Sequence, residues 1–399
     1  MDLLLAFGLT LLVTLLLSGR LHRGILSGAV LFVTAGMVLG PLGIGTVHVH
    51  PGSPGTRLFI ELVFFVVLFT DGMQVRASDL AKHWHLPVRA LVIGLPITVA
   101  VTTLLAYYIA GFGWGEAVLI AAALAPIDAA FIRAVVGDAA VPERLRRLLG
   151  FEAGLVDGVV LPLVLVLLSV LGVRDASAFE ITKSLLLAVV IGVGVPAVVV
   201  LIRRLRWLSV SAEYRPLFAF TVAILVLSVS AHVHCNVFLA GYVAGVTLAS
   251  LSDDVVADNT QFGGHMAELL KLAGLLVIGI LVTAPEADSM GWRGWVFVVL
   301  AILAVRPLSM GAALLGSDLD RPERLAAAWL GPRGFASVAY ALLIAEEAQF
   351  AGVGRGFLAI TAVVTGSIIL HSSTDAMVAR TLTRRLGEGP QMARSRPSQ

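Results

Sequence analysis

Trp329-Leu330-Gly331-Pro332-Arg333-Gly334-Phe335 interrupts one apolar stretch of this 399-residue chain, and Leu124-Ala125-Pro126-Ile127-Asp128-Ala129-Ala130 interrupts another. Proline inside a helix removes a backbone hydrogen bond and collides with the preceding turn, so both stretches are expected to break, at Pro126 and at Pro332. Lipid offers no partner to freed peptide groups, which confines such breaks to places lined by protein or water. The two prolines stand 206 residues apart, and other motifs repeat at nearly that offset. Ala35-Gly36-Met37-Val38-Leu39-Gly40 recurs 205 residues on as Ala240-Gly241-Tyr242-Val243-Ala244-Gly245. Glu61-Leu62, with Leu68 and Gly72, recurs 207 residues on as Glu268-Leu269, with Leu275 and Gly279.

With 58% hydrophobic and 14% charged residues, and apolar runs of spanning length from end to end, the chain reads as an all-α polytopic membrane protein. Thirteen transmembrane segments are expected, centred near Leu11, Met37, Phe65, Val99, Leu124, Val160, Val193, Ile224, Tyr242, Leu275, Leu300, Gly334 and Val363. Seven segments separate the members of each repeated pair, an odd number, so the halves run in opposite directions. Segments 1–6 and 8–13 thus form an inverted repeat crossed by the broken segments 5 and 12, the plan of secondary transporters. Arg20, Arg23, Arg76, Lys82, Arg89, Arg144, Arg146, Arg147 and most later arginines fall on one side. Only Arg57, Arg174, Lys183, Arg293 and Arg355 fall on the other, which puts the amino terminus outside and the carboxy terminus in the cytoplasm. Residues 1–386 read as one membrane domain and 387–399 as a short disordered cytoplasmic tail. Leu3 to Leu17, lacking a basic start and a small-residue cleavage site, reads as a retained helix.

Several function classes fall away. A net charge of +2, spread in short patches, points to no nucleic-acid partner. The single Cys235 excludes an internal disulfide and a thiol-rich metal centre, and no cofactor is expected. An intramembrane protease lacks its motifs here, since there is no Gly-x-Gly-Asp and no His-Glu-x-x-His. A channel would repeat its carbonyl or acidic rings, whereas this chain offers one asymmetric acidic cluster.

That cluster is Phe151-Glu152-Ala153-Gly154-Leu155-Val156-Asp157-Gly158. A charge at the bilayer centre costs about 2.5–3.5 kcal/mol on insertion scales, so carboxylates there mark an ion, proton or substrate site. On a helix Asp157 shares a face with Ala153, and Glu152 with Val156. Arg306 needs a buried anion, and Glu152 is the preferred partner because that choice leaves Asp157 unpaired. Burial disfavours the charged form of an unpaired carboxyl, which suits a group that trades a proton for a cation. Asp128 can neutralise positive half-helix ends and Arg333 negative ones, so the two read as a structural charge pair. Asp71 reads as an interfacial cap, the pairs His48/His50, His83/His85 and His232/His234 as solvated, and His371 with Asp375 as the cap of a short amphipathic helix.

Leu124 to Ala129, Val141-Pro142-Glu143-Arg144, Glu152 to Gly158 and Gly331-Pro332-Arg333-Gly334, in that order, resemble the bacterial NhaP-type cation/proton antiporters, relatives of the eukaryotic sodium/proton exchangers. The resemblance implies secondary transport of a monovalent cation, Na+ or K+, against H+ in a bacterial inner membrane, not enzyme catalysis. It implies that Asp157 is the exchanging carboxylate, that Arg306 holds a structural Glu152, and that Asp128 and Arg333 compensate the crossed breaks. It also implies a homodimer in which segments 4–6 and 11–13 form a core moving against a scaffold of segments 1–3 and 7–10. No second acid adjoins Asp157, which predicts electroneutral 1:1 exchange. The family's usual Thr, Ser and Asn are replaced here by Ile127, Ala153 and Val156. Their loss leaves a second reading open, in which the same fold serves an altered substrate or a sensor role.

Overall fold

The computed structural model describes residues 3–21, 28–49, 53–82, 84–128, 141–173, 177–205, 211–282, 288–347 and 353–391. Among these the regular structure is entirely helical: α1 (Leu3–Leu21), α2 (Gly28–Leu39), α3 (Pro54–Gly72), the short α4 (Ala77–Lys82), α5 (His85–Ala110), α6 (Trp114–Ala123), α7 (Glu143–Val170), α8 (Ala178–Arg203), α9 (Arg215–His232), α10 (Val237–Leu251), α11 (Asp253–Leu281), α12 (Gly291–Ala313), α13 (Arg321–Trp329), α14 (Phe335–Glu347) and α15 (Val353–Gln391). Seven of the described helices are long and apolar enough to cross a bilayer. Large apolar side chains such as Leu4, Val170, Phe179 and Ile224 lie exposed on the outer surface, where water would penalise them and lipid does not.

Segment 12 is split as expected, into α13 and α14. Of segment 5 the first half is α6; residues 129–140, with Arg133, lie outside the described residues, as do His50, His83 and residues 392–399. One expectation needs correction. Helix α15 runs unbroken past His371, so no separate amphipathic helix begins there. The Ala, Met, Leu and Arg residues after Thr374 are good helix formers and prolong a helix already nucleated in the membrane.

The repeat is visible in the packing. Helix α2 crosses α11 where Gly36 meets the Leu276 carbonyl and Gly279 meets that of Val33. Helix α10, the repeat mate of α2, crosses α3 in the same way: Gly245 lies on the Phe69 carbonyl and Gly72 on that of Tyr242. A Cβ at any of these four glycines would overlap a backbone oxygen, so small residues set how closely these helices approach. Helix α7 packs against this layer through Gly154, on Val75, and Gly158, on the ring of Tyr242. Pro307 cannot donate to the Leu303 carbonyl, and α12 kinks at Ala304, one turn before it. That kink presents Arg306 to the interior, where it is 5% exposed.

Candidate functional site

Helix α6 ends at Ala123 and α13 at Trp329; residues 125–128 and 330–334 then run non-helically past one another. The Asp128 N–H donates to the Pro332 carbonyl at 2.9 Å, which fixes the crossing. Arg333 Nη1 donates to the carbonyls of Ala125 (2.5 Å) and Pro126 (3.1 Å), at the negative end of α6. The Arg333 N–H donates to Ser367 Oγ at 3.0 Å. Asp128 Oδ2 accepts from the Phe335 N–H, at the positive end of α14, at 3.2 Å. Each charge therefore serves a helix end of the other broken segment, Arg333 a negative end and Asp128 a positive one. Glycine is required beside them. A Cβ at Gly334 would fall on the Asp128 carboxylate, and one at Gly331 on the Arg306 guanidinium.

Arg306 grips Glu152 with two bonds, Nη1 to Oε1 at 2.9 Å and Nη2 to Oε2 at 3.1 Å, and Nη2 also donates to the Ala327 carbonyl at 3.0 Å. Both residues are 5% exposed. Planar fork geometry suits guanidinium here in a way that ammonium would not match.

The residue that sequence reasoning passed over is Lys271. Its ammonium lies 3.1 Å from Asp128 Oδ1 and 3.9 Å from Asp71 Oδ2, with all three side chains buried. Asp71, expected to cap a helix at the interface, is instead inside, and its Oδ1 accepts from Gln74 Nε2 at 3.0 Å. A signal was present: Glu268-Leu269-Leu270-Lys271-Leu272 sets a lysine in an apolar segment at the same insertion cost that singled out Asp157.

Asp157 is 2% exposed, and its Oδ1 has no hydrogen-bond partner among the described residues. Tyr340 donates to its backbone carbonyl at 3.0 Å and so fixes the main chain, not the carboxylate. Asp71, Asp128 and Lys271 are near enough to act on it electrostatically. The buried Tyr242 hydroxyl, whose ring packs on Gly158, is also without a described partner. Among the described residues, four carboxylates lie buried around the crossing, Asp71, Asp128, Glu152 and Asp157, and three cations, Lys271, Arg306 and Arg333. Within that set one negative charge is left over. A cleft of about 310 Å³ is lined by Gln74, Glu143, Arg146, Arg147, Gly150 and Phe151, and one of these, Gln74, is the hydrogen-bond partner of Asp71.

Ile127 and Ala153 are buried in an apolar cluster with Leu145, Leu149 and Leu330, and Val156 packs into the main core. These three positions bring no side-chain oxygen to the site. Among the described residues no group of His, Cys, Asp and Glu could hold a metal ion by itself.

Comparison with known proteins agrees with this architecture. The chain is 24% identical over 336 residues to the K+/H+ antiporter NhaP of Alkalimonas amylolytica, covering 83% of this chain and 58% of that one. It is 22% identical over 312 residues to the K+/H+ antiporter NhaP2 of Shewanella sp. strain MR-4, covering 76% and 54%. The chain thus spans about half the length of the curated relatives it matches. The structure of the sodium proton antiporter MjNhaP1 from Methanocaldococcus jannaschii superposes with a TM-score of 0.79 over 96% of this chain and 97% of that one, at 18% identity, so the two share a fold. The family model for the transmembrane sodium/hydrogen exchanger matches residues 8–381, and the chain belongs to that family.

Proposed function

We propose that the protein exchanges a monovalent cation, Na+ or K+, for H+ across a membrane by alternating access at Asp157. One observation carries the reading: among the described residues the crossing holds one carboxylate more than it holds cations, and Asp157 is the acid there with an unmatched oxygen. A single surplus charge in a low-dielectric site is neutralised by one proton or one monovalent cation. Holding both would leave a net positive charge, which burial penalises, so the two ligands displace each other. Exchange on that basis is 1:1 and moves no net charge. Glu152 held by Arg306, with Asp128 and Arg333 on the broken-helix ends, keeps the remaining charges paired while the site turns from one face to the other.

With Ile127, Ala153 and Val156 apolar, the oxygens left for the cation are those of Asp157, backbone carbonyls at the crossing, the Tyr242 hydroxyl and water. Replacing a hydration shell with so few oxygens favours the larger, more weakly hydrated K+. The K+/H+ antiporters among the relatives agree with that leaning, while MjNhaP1, a sodium proton antiporter, keeps Na+ in view. We assign α5–α7 and α12–α15 to a moving core, and α1–α3 with α8–α11 to a scaffold that forms a homodimer. The membrane is the bacterial inner membrane, with the amino terminus outside and the carboxy terminus in the cytoplasm.

Proteoliposomes loaded with an acid-quenched dye test this. Adding K+ or Na+ should dequench the wild type and leave Asp157→Asn silent, with no current on a solid-supported membrane. Flux surviving in Asp157→Asn, or a current accompanying exchange, would refute the mechanism. The apolar Ile127, Ala153 and Val156 favour the second reading, a sensor or altered substrate, if no cation evokes flux from folded wild type.

A further inference from the structure

Among the described residues, Lys271 is a buried cation at the crossing that enters the charge count above but has no role of its own in the exchange described there. It rises from α11, is 5% exposed, and joins carboxylates from two other elements, at 3.1 Å to Asp128 of the broken segment 5 and 3.9 Å to Asp71 of α3. Both carboxylates keep a second donor. Asp128 Oδ2 accepts from the Phe335 N–H and Asp71 Oδ1 from Gln74, so each presents its other oxygen toward the ammonium. Asp157 lies within electrostatic reach of all three. With the lysine in place no group of the described carboxylates here makes a metal site, but Asp71 and Asp128 face one point from two sides, and a hard divalent cation is a ligand that gathers carboxylate oxygens in that way. Lysine, a compact point charge with three donors, cancels one of those charges and occupies the space between two of the acids. Because it is tethered, its effective concentration there exceeds that of any ion in solution.

We propose that Lys271 is a resident cation that keeps Asp71 and Asp128 occupied, and so restricts the crossing to one monovalent ion at Asp157. This deepens the exchange reading and rests on it for the identity of the transported ion, but not for the charge rule.

The test compares wild type, Lys271→Gln and the charge-conserving double variant Lys271→Gln/Asp71→Asn. In detergent, thermal midpoints are followed against Ca2+ at constant ionic strength; in proteoliposomes, Ca2+ inhibition of K+- or Na+-driven dequenching is titrated. Wild type should show no thermal shift with Ca2+ and should be inhibited only at high Ca2+. Lys271→Gln should be stabilised by Ca2+, and its exchange half-inhibited at a Ca2+ concentration at least about tenfold below that needed for wild type, a ten-to-one change in binding constant. The double variant should return to wild-type insensitivity. A folded Lys271→Gln that answers Ca2+ as wild type does, or a double variant as sensitive as the single, overturns the proposal. If Lys271→Gln does not fold, Asp71→Asn reads the rule from the other side: with the surplus charge gone, half-maximal exchange should need about tenfold more cation, and an unchanged requirement overturns it. The thermal assay needs no transport. Calcium shifts of the expected pattern in a protein without cation-evoked flux would therefore sink the exchange reading alone.

Discussion

Replacing Arg306 by Met removes two hydrogen bonds to Glu152, at 2.9 and 3.1 Å, and a third to the Ala327 carbonyl at 3.0 Å. Glu152, 5% exposed, is left without its guanidinium. Taking one member from a buried ion pair costs about 3–5 kcal/mol, because the survivor stays desolvated and uncompensated. The orphaned carbonyl adds about 1 kcal/mol. Glu152→Leu should be milder, since Arg306 keeps its bond to Ala327. The double variant Arg306→Met/Glu152→Leu buries no lone charge, and apolar replacement of a buried pair is often nearly neutral. We expect it to recover at least about 2 kcal/mol of the loss in Arg306→Met, a coupling typical of residues in direct contact. Reversible unfolding by SDS in mixed micelles measures these free energies, and thermal midpoints from size-exclusion peaks rank the same proteins. Two outcomes would refute the reasoning: Arg306→Met as stable as wild type, or a double variant no more stable than Arg306→Met.

Gly334→Ala should lower folded yield sharply and cost at least about 1–3 kcal/mol, because the new Cβ falls on the Asp128 carboxylate in a backbone pinned to Pro332. Gly194→Ala, at a helical position of α8 with open space, should be neutral or stabilising by about 0.4–1 kcal/mol in the same unfolding assay. Tyr242→Phe removes only a buried hydroxyl without a described partner, so the thermal midpoint should hold while half-maximal exchange needs roughly fivefold more cation, about 1 kcal/mol of lost contact. Outside the membrane, the Ser252 hydroxyl, followed by the nearby Arg203, holds the Asp254 carboxyl below its ordinary value. A lowered pKa in the fold gives stability that is present above the unfolded value and lost as pH falls through the folded one. Asp254→Asn should erase that acid-side slope of the thermal midpoint and cost no more than about 1 kcal/mol at neutral pH, as partly exposed pairs do.

Much of the fold could be read from the chain. Lipid accepts backbone only in helices, so apolar runs translate directly into spans, and prolines at 126 and 332 locate the breaks without knowledge of any neighbour. Glycine spacing in Ala35–Gly40 and Ala240–Gly245 announced the repeat, because close helix crossings need small residues wherever they occur. The cost of charge in hydrocarbon likewise picked out Glu152, Asp157, Asp128, Arg306 and Arg333 one at a time. The continuity of α15 past His371 was not legible in the same way, because polar residues at the membrane edge carry no such penalty and the Ser/Thr/Asp cluster there reads equally as a cap.

Which charge meets which was another matter. A sequence states that a lysine or an aspartate is expensive, but the partner depends on how three or four helices cross, and residues 71, 128 and 271 come from separate segments. Only the tertiary structure sent Asp128 to Lys271 and the Phe335 amide, Arg333 to the Ala125 and Pro126 carbonyls, and Asp71 into the interior. The chain alone determined that costly charges are buried near two broken helices. Packing decided how they cancel, because Coulombic pairing over 3 to 4 Å is set by the crossing of helix axes and not by spacing along the chain.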